Sequence, residues 1–127
     1  MEREPSSCSC GVKGKTRIIY SWSGIGSNVG QFANAAACRL TQKGYGVGSC
    51  LAGVGGGIEK LVATGKSADE RIVIDGCPVA CARTIVDNRN LPVDRHFLVT
   101  DLGITKTPGP VYDERDLKTV VEAVRNA

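Results

Sequence analysis

Six cysteines in a chain of 127 residues are the side chains here best suited to chemistry. Four of them form two close pairs, Cys8-Ser9-Cys10 and Cys77-Pro78-Val79-Ala80-Cys81, while Cys38 and Cys50 stand alone. A pair of thiols can hold a soft metal ion or carry out redox exchange. The second pair lies in the most informative setting, residues 71–84, RIVIDGCPVACART. Ile72, Val73 and Ile74 are a β-branched run that predicts a buried parallel strand. Asp75-Gly76 is a turn signal that stops it. Cys77-Pro78 then reads as a helix cap followed by proline at the first helical position. On that reading both sulfurs lie near the positive end of a helix dipole.

Two further readings compete at the same residues. Cys77 to Arg83-Thr84 fits the spacing C-x5-R-[ST] of a phosphate-binding loop, in which Cys77 is the nucleophile and Arg83 grips the oxyanion. Pro78 removes one of the N–H groups such a loop uses, and no glycine relaxes it. A redox site would use Cys77 as the attacking thiol and Cys81 as the resolving one. Zinc asks for tetrahedral thiolates, usually four in a structural site. Cys50, Cys77 and Cys81 offer three, and Cys8, Cys10, Asp101 or a water are the candidates for the fourth. His96 is the sole histidine; it is expected to start a strand, away from the metal edge. Asp75 is read either as a capping carboxylate or as a plain turn residue.

The rest of the chain must position these groups. Residues 16–21 (TRIIYS) read as a first strand, followed by a small-residue loop and a helix from about 28 to 43. Phe32, Ala33, Ala36, Ala37 and Leu40 form its buried stripe at helical spacing, which leaves Cys38 on the outer face. Residues 45–51 (YGVGSCL) read as a weak second strand, residues 52–57 as a glycine loop, and Ile58, Leu61 and Val62 as the inner face of a short helix stopped by Gly65. Residues 96–100 (HFLVT) are the fourth strand. The last helix begins near Asp113, with Leu117, Val120, Val121 and Val124 as its apolar stripe. Strand and helix alternate four times, which predicts a single α/β domain: a four-stranded parallel sheet with helices on both faces, of the Rossmann-like or flavodoxin-like kind. Ligands of such sheets bind beyond the carboxyl ends of the strands. Trp22, Cys50, Cys77 with Cys81, and Asp101 all fall there, so three cysteines are expected to converge on one edge.

Residues 1–14 are polar and read as a flexible, cysteine-containing tail ahead of a domain over residues 15–127. The formal net charge of +3, from 16 basic and 13 acidic residues, is dispersed along the chain. Without a basic block, no nucleic-acid partner is expected. No apolar run nears the roughly 20 residues that cross a bilayer, so no membrane partner is expected either. The first residues lack the apolar segment of a signal peptide, which points to the cytoplasm. Thiols stay reduced there, and the cysteines read as metal ligands or reactive groups rather than a disulfide framework. The first glycine loop misses the dinucleotide fingerprint, with Val29 at the place of its third glycine and Cys50 where a ribose-binding acid belongs. The two glycine loops are read evenly as anion cradles or as tight packing.

At four places the chain resembles the DGC-domain family, small bacterial and archaeal proteins described as zinc-binding and named for Asp-Gly-Cys, here Asp75-Gly76-Cys77. The matching pieces are Ser23-Gly24 with Asn28-Val29-Gly30-Gln31, residues 50–57, residues 74–81, and Thr100-Asp101-Leu102-Gly103. The resemblance implies a zinc site of four cysteines and no established reaction. It carries over Cys50, Cys77 and Cys81 as ligands. The family's remaining cysteine precedes Ser-Gly in the first loop, where this chain has Trp22; some members have another at the position of Ile25.

Overall fold

The computed structural model describes residues 15–22 and 24–127. The expected tail, residues 1–14 with Cys8 and Cys10, lies outside the described residues. Four strands, β1 (Arg17–Ser21), β2 (Val47–Gly48), β3 (Glu70–Asp75) and β4 (Arg95–Leu98), form one sheet in the order β2-β1-β3-β4. All three pairings are parallel, with Ile19 opposite Ile72 and Val73 opposite His96. Five helices join them: α1 (Asn28–Gln42), α2 (Leu51–Gly55), α3 (Glu59–Ser67), α4 (Cys81–Asn88) and α5 (Leu117–Asn126).

Strand alternation divides the apolar residues between two cores. Ile19, Ile72 and Ile74 face α1 and α5, where they meet Phe32, Ala36, Leu40, Val120 and Val124. Ile18, Tyr20 and Val73 face the other way, onto Leu51, Val54, Ala82 and Val86 of α2 and α4. The sheet is thus covered on both sides, as a wholly parallel sheet must be. The expected stripes of α1 and α5 are all buried, and Cys38 is exposed on the outer face of α1.

Several boundaries differ from the sequence reading, each for a local reason. β2 is only two residues long, because glycine at 44, 46 and 48 offers little side chain to pack. The expected glycine loop after Cys50 is instead the short helix α2, capped by Cys50 itself. Ile58, expected inward, is exposed. Gly65 does not stop α3 but lies inside it, where a Cβ would strike the Tyr20 hydroxyl. The fourth strand ends at Leu98, and a 3-10 turn over Val99–Leu102 replaces its tail. A second 3-10 turn, Glu114–Asp116, leads into α5.

The helix around the second cysteine pair is the main correction. Pro78 and Val79 form a turn closed by the Ala80 N–H donating to Cys77 O at 3.0 Å, and α4 starts only at Cys81. Cys77 is therefore not the helix cap. Ala80 precedes the helix in the left-handed region, φ 54°, and offers no side-chain cap.

Candidate functional site

Asp75 supplies the cap that the turn lacks. Its carboxylate reaches forward from the end of β3, accepting the Ala82 N–H on Oδ1 at 2.7 Å and the Arg83 N–H on Oδ2 at 3.0 Å. His96 Nε2 lies 2.8 Å from the same Oδ2. Asp75 is 1% exposed, and a buried carboxylate needs such partners to stay there. His96 does lie near the start of β4, as expected. The register between β3 and β4 nevertheless brings its ring to Asp75, so it braces the site from behind. This was not legible in the sequence: the pairing depends on which residues of two separate strands come opposite each other.

With the helix start secured, Cys77 and Cys81 line one cavity of about 420 Å³. Trp22 from the end of β1, Ile25 and Gly26 from the first loop, Val29 and Gly30 from α1, Val79 from the turn, and Lys106 complete much of its wall. The cavity opens between the carboxyl ends of β1 and β3. This is where the strand order reverses, and open α/β sheets place their ligands at that point. Two glycines set its shape by close approach. A Cβ on Gly76 would lie 2.7 Å from the Val29 carbonyl carbon, and one on Gly30 would lie 2.6 Å from Gly24 O. Of the two readings of the first glycine loop, packing is the one visible at Gly30.

Lys106 was missed by the sequence reading. Its Nζ donates to Cys77 Sγ at 3.5 Å. What holds it there is Asn28, the buried first residue of α1. Asn28 Nδ2 donates to Thr105 O at 2.9 Å, Asn28 Oδ1 accepts from the Thr107 N–H at 2.6 Å, and the Asn28 N–H donates to Thr107 O at 3.1 Å. The Gly109 N–H donates to Gly26 O at 3.0 Å. The turn-rich segment 105–109 is thus laced along the start of α1, with Lys106 over Cys77. The available signal was the run of turn residues TKTPGP, which marks a loop but not its docking.

The structure does not bring all the expected ligands together. Cys50 follows β2 on the same sheet edge, but β1 lies between β2 and β3. Two strand spacings, roughly 9–10 Å, therefore separate the two strand axes. Its sulfur accepts the Gly53 N–H at 3.4 Å as the cap of α2, and it is not in the cavity wall. Asp101 is exposed in the 3-10 turn and is likewise outside the wall. Among the described residues, no three of the His, Cys, Asp and Glu side chains stand close enough to form a metal cluster. The donor chemistry suits a thiophilic ion at two sulfurs; it does not close a four-cysteine centre.

The phosphate-loop arrangement is not formed. The N–H groups of Ala82 and Arg83 are taken by Asp75, that of Ala80 by Cys77 O, and proline at 78 has none. The Arg83 guanidinium turns along α4 to Asp87, with Nε 3.2 Å from each carboxylate oxygen.

The DGC domain profile matches residues 18–124, which takes in all four strands except Arg17 at the start of β1, and all the cavity residues named above. The chain belongs to the DGC-domain family. This DGC domain is also similar to the anaerobic and virulence modulator AnvM of Pseudomonas aeruginosa, at 32% identity over 99 residues, covering 78% of this chain and 75% of that protein. No solved structure matches the chain. In this DGC domain Asp75-Gly76-Cys77 has a distinct task for each residue. The aspartate caps α4, the glycine lets the loop press against α1, and the cysteine faces the cavity.

Proposed function

We propose that this DGC domain binds a thiophilic metal ion, zinc first among them, through the dithiol of Cys77 and Cys81. The observation that carries the reading is that these two thiols share one cavity at the switch point of the sheet. Cys50, two strands away on the same edge, becomes a third thiolate only when the segment that carries it moves toward the cavity as well as giving up the Gly53 N–H. A site with so few resident ligands suits capture and transfer better than a structural role, and Cys8 and Cys10 are further sulfurs for the exchange. A zinc ion with an open position would supply Lewis-acid chemistry to a bound water or carbonyl. The chain's own contribution is to fix Cys81 through the Asp75 cap and to hold a cation beside Cys77. The setting proposed is cytoplasmic, where the thiols stay reduced, without a nucleic-acid partner.

The test is zinc affinity by competition with a chromogenic chelator. Cys77→Ser and Cys81→Ser each lose zinc, Cys50→Ser binds more weakly, and Cys38→Ser binds as the parent does. Full affinity in Cys77→Ser or Cys81→Ser would overturn the assignment.

A second reading has an observation of its own. The ammonium of Lys106 on the Cys77 sulfur is the surrounding of a reactive thiol, with Cys81 four residues away to resolve it. The name of the similar protein, an anaerobic and virulence modulator, suits a site whose thiols answer to oxidants.

A further inference from the structure

We infer that the cavity is a receptor for small anionic disulfides, which oxidise Cys77 and Cys81 to a disulfide. This rests on the dithiol-exchange reading and adds the substrate class. The cavity, about 420 Å³, is of the size that holds small molecules rather than a protein segment. Its accessible charge is positive. Asp75 has both oxygens bonded and is 1% exposed, which leaves Lys106 as the charged group that a ligand meets. Trp22, Ile25 and Val79 are 38%, 77% and 68% exposed around it, an apolar surface for the carbon skeleton of such a molecule. A carboxylate on the ligand pairs with the Lys106 ammonium, which already reaches Cys77 Sγ at 3.5 Å. That contact brings the ligand's sulfur–sulfur bond to the nucleophile.

The exchange balances without a further reagent. Cys77, its proton released to water, attacks one sulfur of the disulfide. The ligand's S–S bond breaks, a mixed disulfide forms, and one small thiolate leaves with the electron pair. Cys81, deprotonated in turn, attacks the Cys77 sulfur, expels the second small thiolate and closes the Cys77–Cys81 bond. The protein's two thiols are oxidised and one disulfide is reduced to two thiols, which take up the two protons released.

The experiment uses the full chain freed of metal by chelator. It compares dithiodipropionate, which is anionic, with cystamine, which is cationic, both dialkyl disulfides, each rate divided by that of the same probe with free 2-mercaptoethanol so that intrinsic reactivity cancels, and locates the products by peptide mass spectrometry. Cys77 reacts faster with the anionic probe by about tenfold, the lower end of electrostatic steering. Lys106→Ala removes that preference, Lys106→Glu reverses it, and Cys81→Ser stops at the mixed disulfide on Cys77. A preference that survives in Lys106→Ala overturns the anionic substrate class while leaving dithiol exchange intact. If Cys77 stays unmodified while the exposed Cys38 and Cys50 react, exchange and substrate class both fall. Lys106 is exposed, so its variants fold.

Discussion

Asp75 does more than terminate a strand. One buried carboxylate accepts two helix N–H groups and meets His96, so a single side chain joins β3, α4 and β4 at the site. Asp75→Asn keeps the shape but turns an amide donor toward one of those N–H groups. The expected cost is about 2 kcal/mol, read as a lower urea midpoint, together with slower Cys81 chemistry. An unchanged midpoint would show that the cap is dispensable. Gly76→Ala acts by steric conflict instead. Its Cβ would meet the backbone of α1 at Val29 and Gly30, and backbone cannot step aside as a side chain can. Such overpacking costs about 1–3 kcal/mol. At this scale the sequence was informative about identity but not about partners. Asp75 was legible as a cap or a turn residue, whereas its bond to His96 depends on strand register. Lys106 was invisible, since only the Asn28 clamp brings the segment 105–109 across the cavity.

Among elements, the alternation of strands and amphipathic helices was legible because periodicity reports which face is buried. The stripe of α1 and that of α5 came out as read. The start of α4 did not, because a proline after a capping residue type looks the same in a turn as in a helix. Ala80 in the left-handed region and a cap sent from seven residues upstream decided the matter. Away from the site, a polar cluster ties the strands together. Glu70 on β3 accepts from Arg17 on β1 at 2.6 Å and from Arg95 on β4 at 3.0 Å, and Arg95 also meets the Tyr45 hydroxyl. Burial raises the Glu70 pKa, but the Arg17 hydrogen bond and the charges of Arg95 and Arg17 outweigh it, and the net shift is downward. A carboxyl whose folded pKa is depressed stabilises the fold above its unfolded value, near 4.5, and loses that contribution as pH falls through the folded value. Glu70→Gln therefore lowers stability at neutral pH and flattens its decline in acid, as thermal melts at pH 7 and pH 3 would show. An acid decline as steep as the parent's would place the responsible group elsewhere.

The molecule as a whole is a thin sheet between two apolar cores, with its chemistry at one edge. That architecture explains why three cysteines on the carboxyl edge do not amount to three ligands at a point. An edge is a line, and β1 with Trp22 at its end lies between Cys50 and the other two. The edge was legible from strand order in sequence; the spacing along it was not, because chain order does not reveal that β1 is central. No helix among the described residues is long and apolar enough to cross a membrane. Uptake of a thiophilic metal by the Cys77–Cys81 dithiol is open to one direct measurement. It is tested most directly by elemental mass spectrometry of the full chain, purified without chelator or added metal, beside the Cys77→Ser/Cys81→Ser double variant. Near-stoichiometric zinc, or another thiophilic metal, is expected in the parent and none in the folded double variant. A parent free of metal, or a double variant that retains it, would contradict the claim.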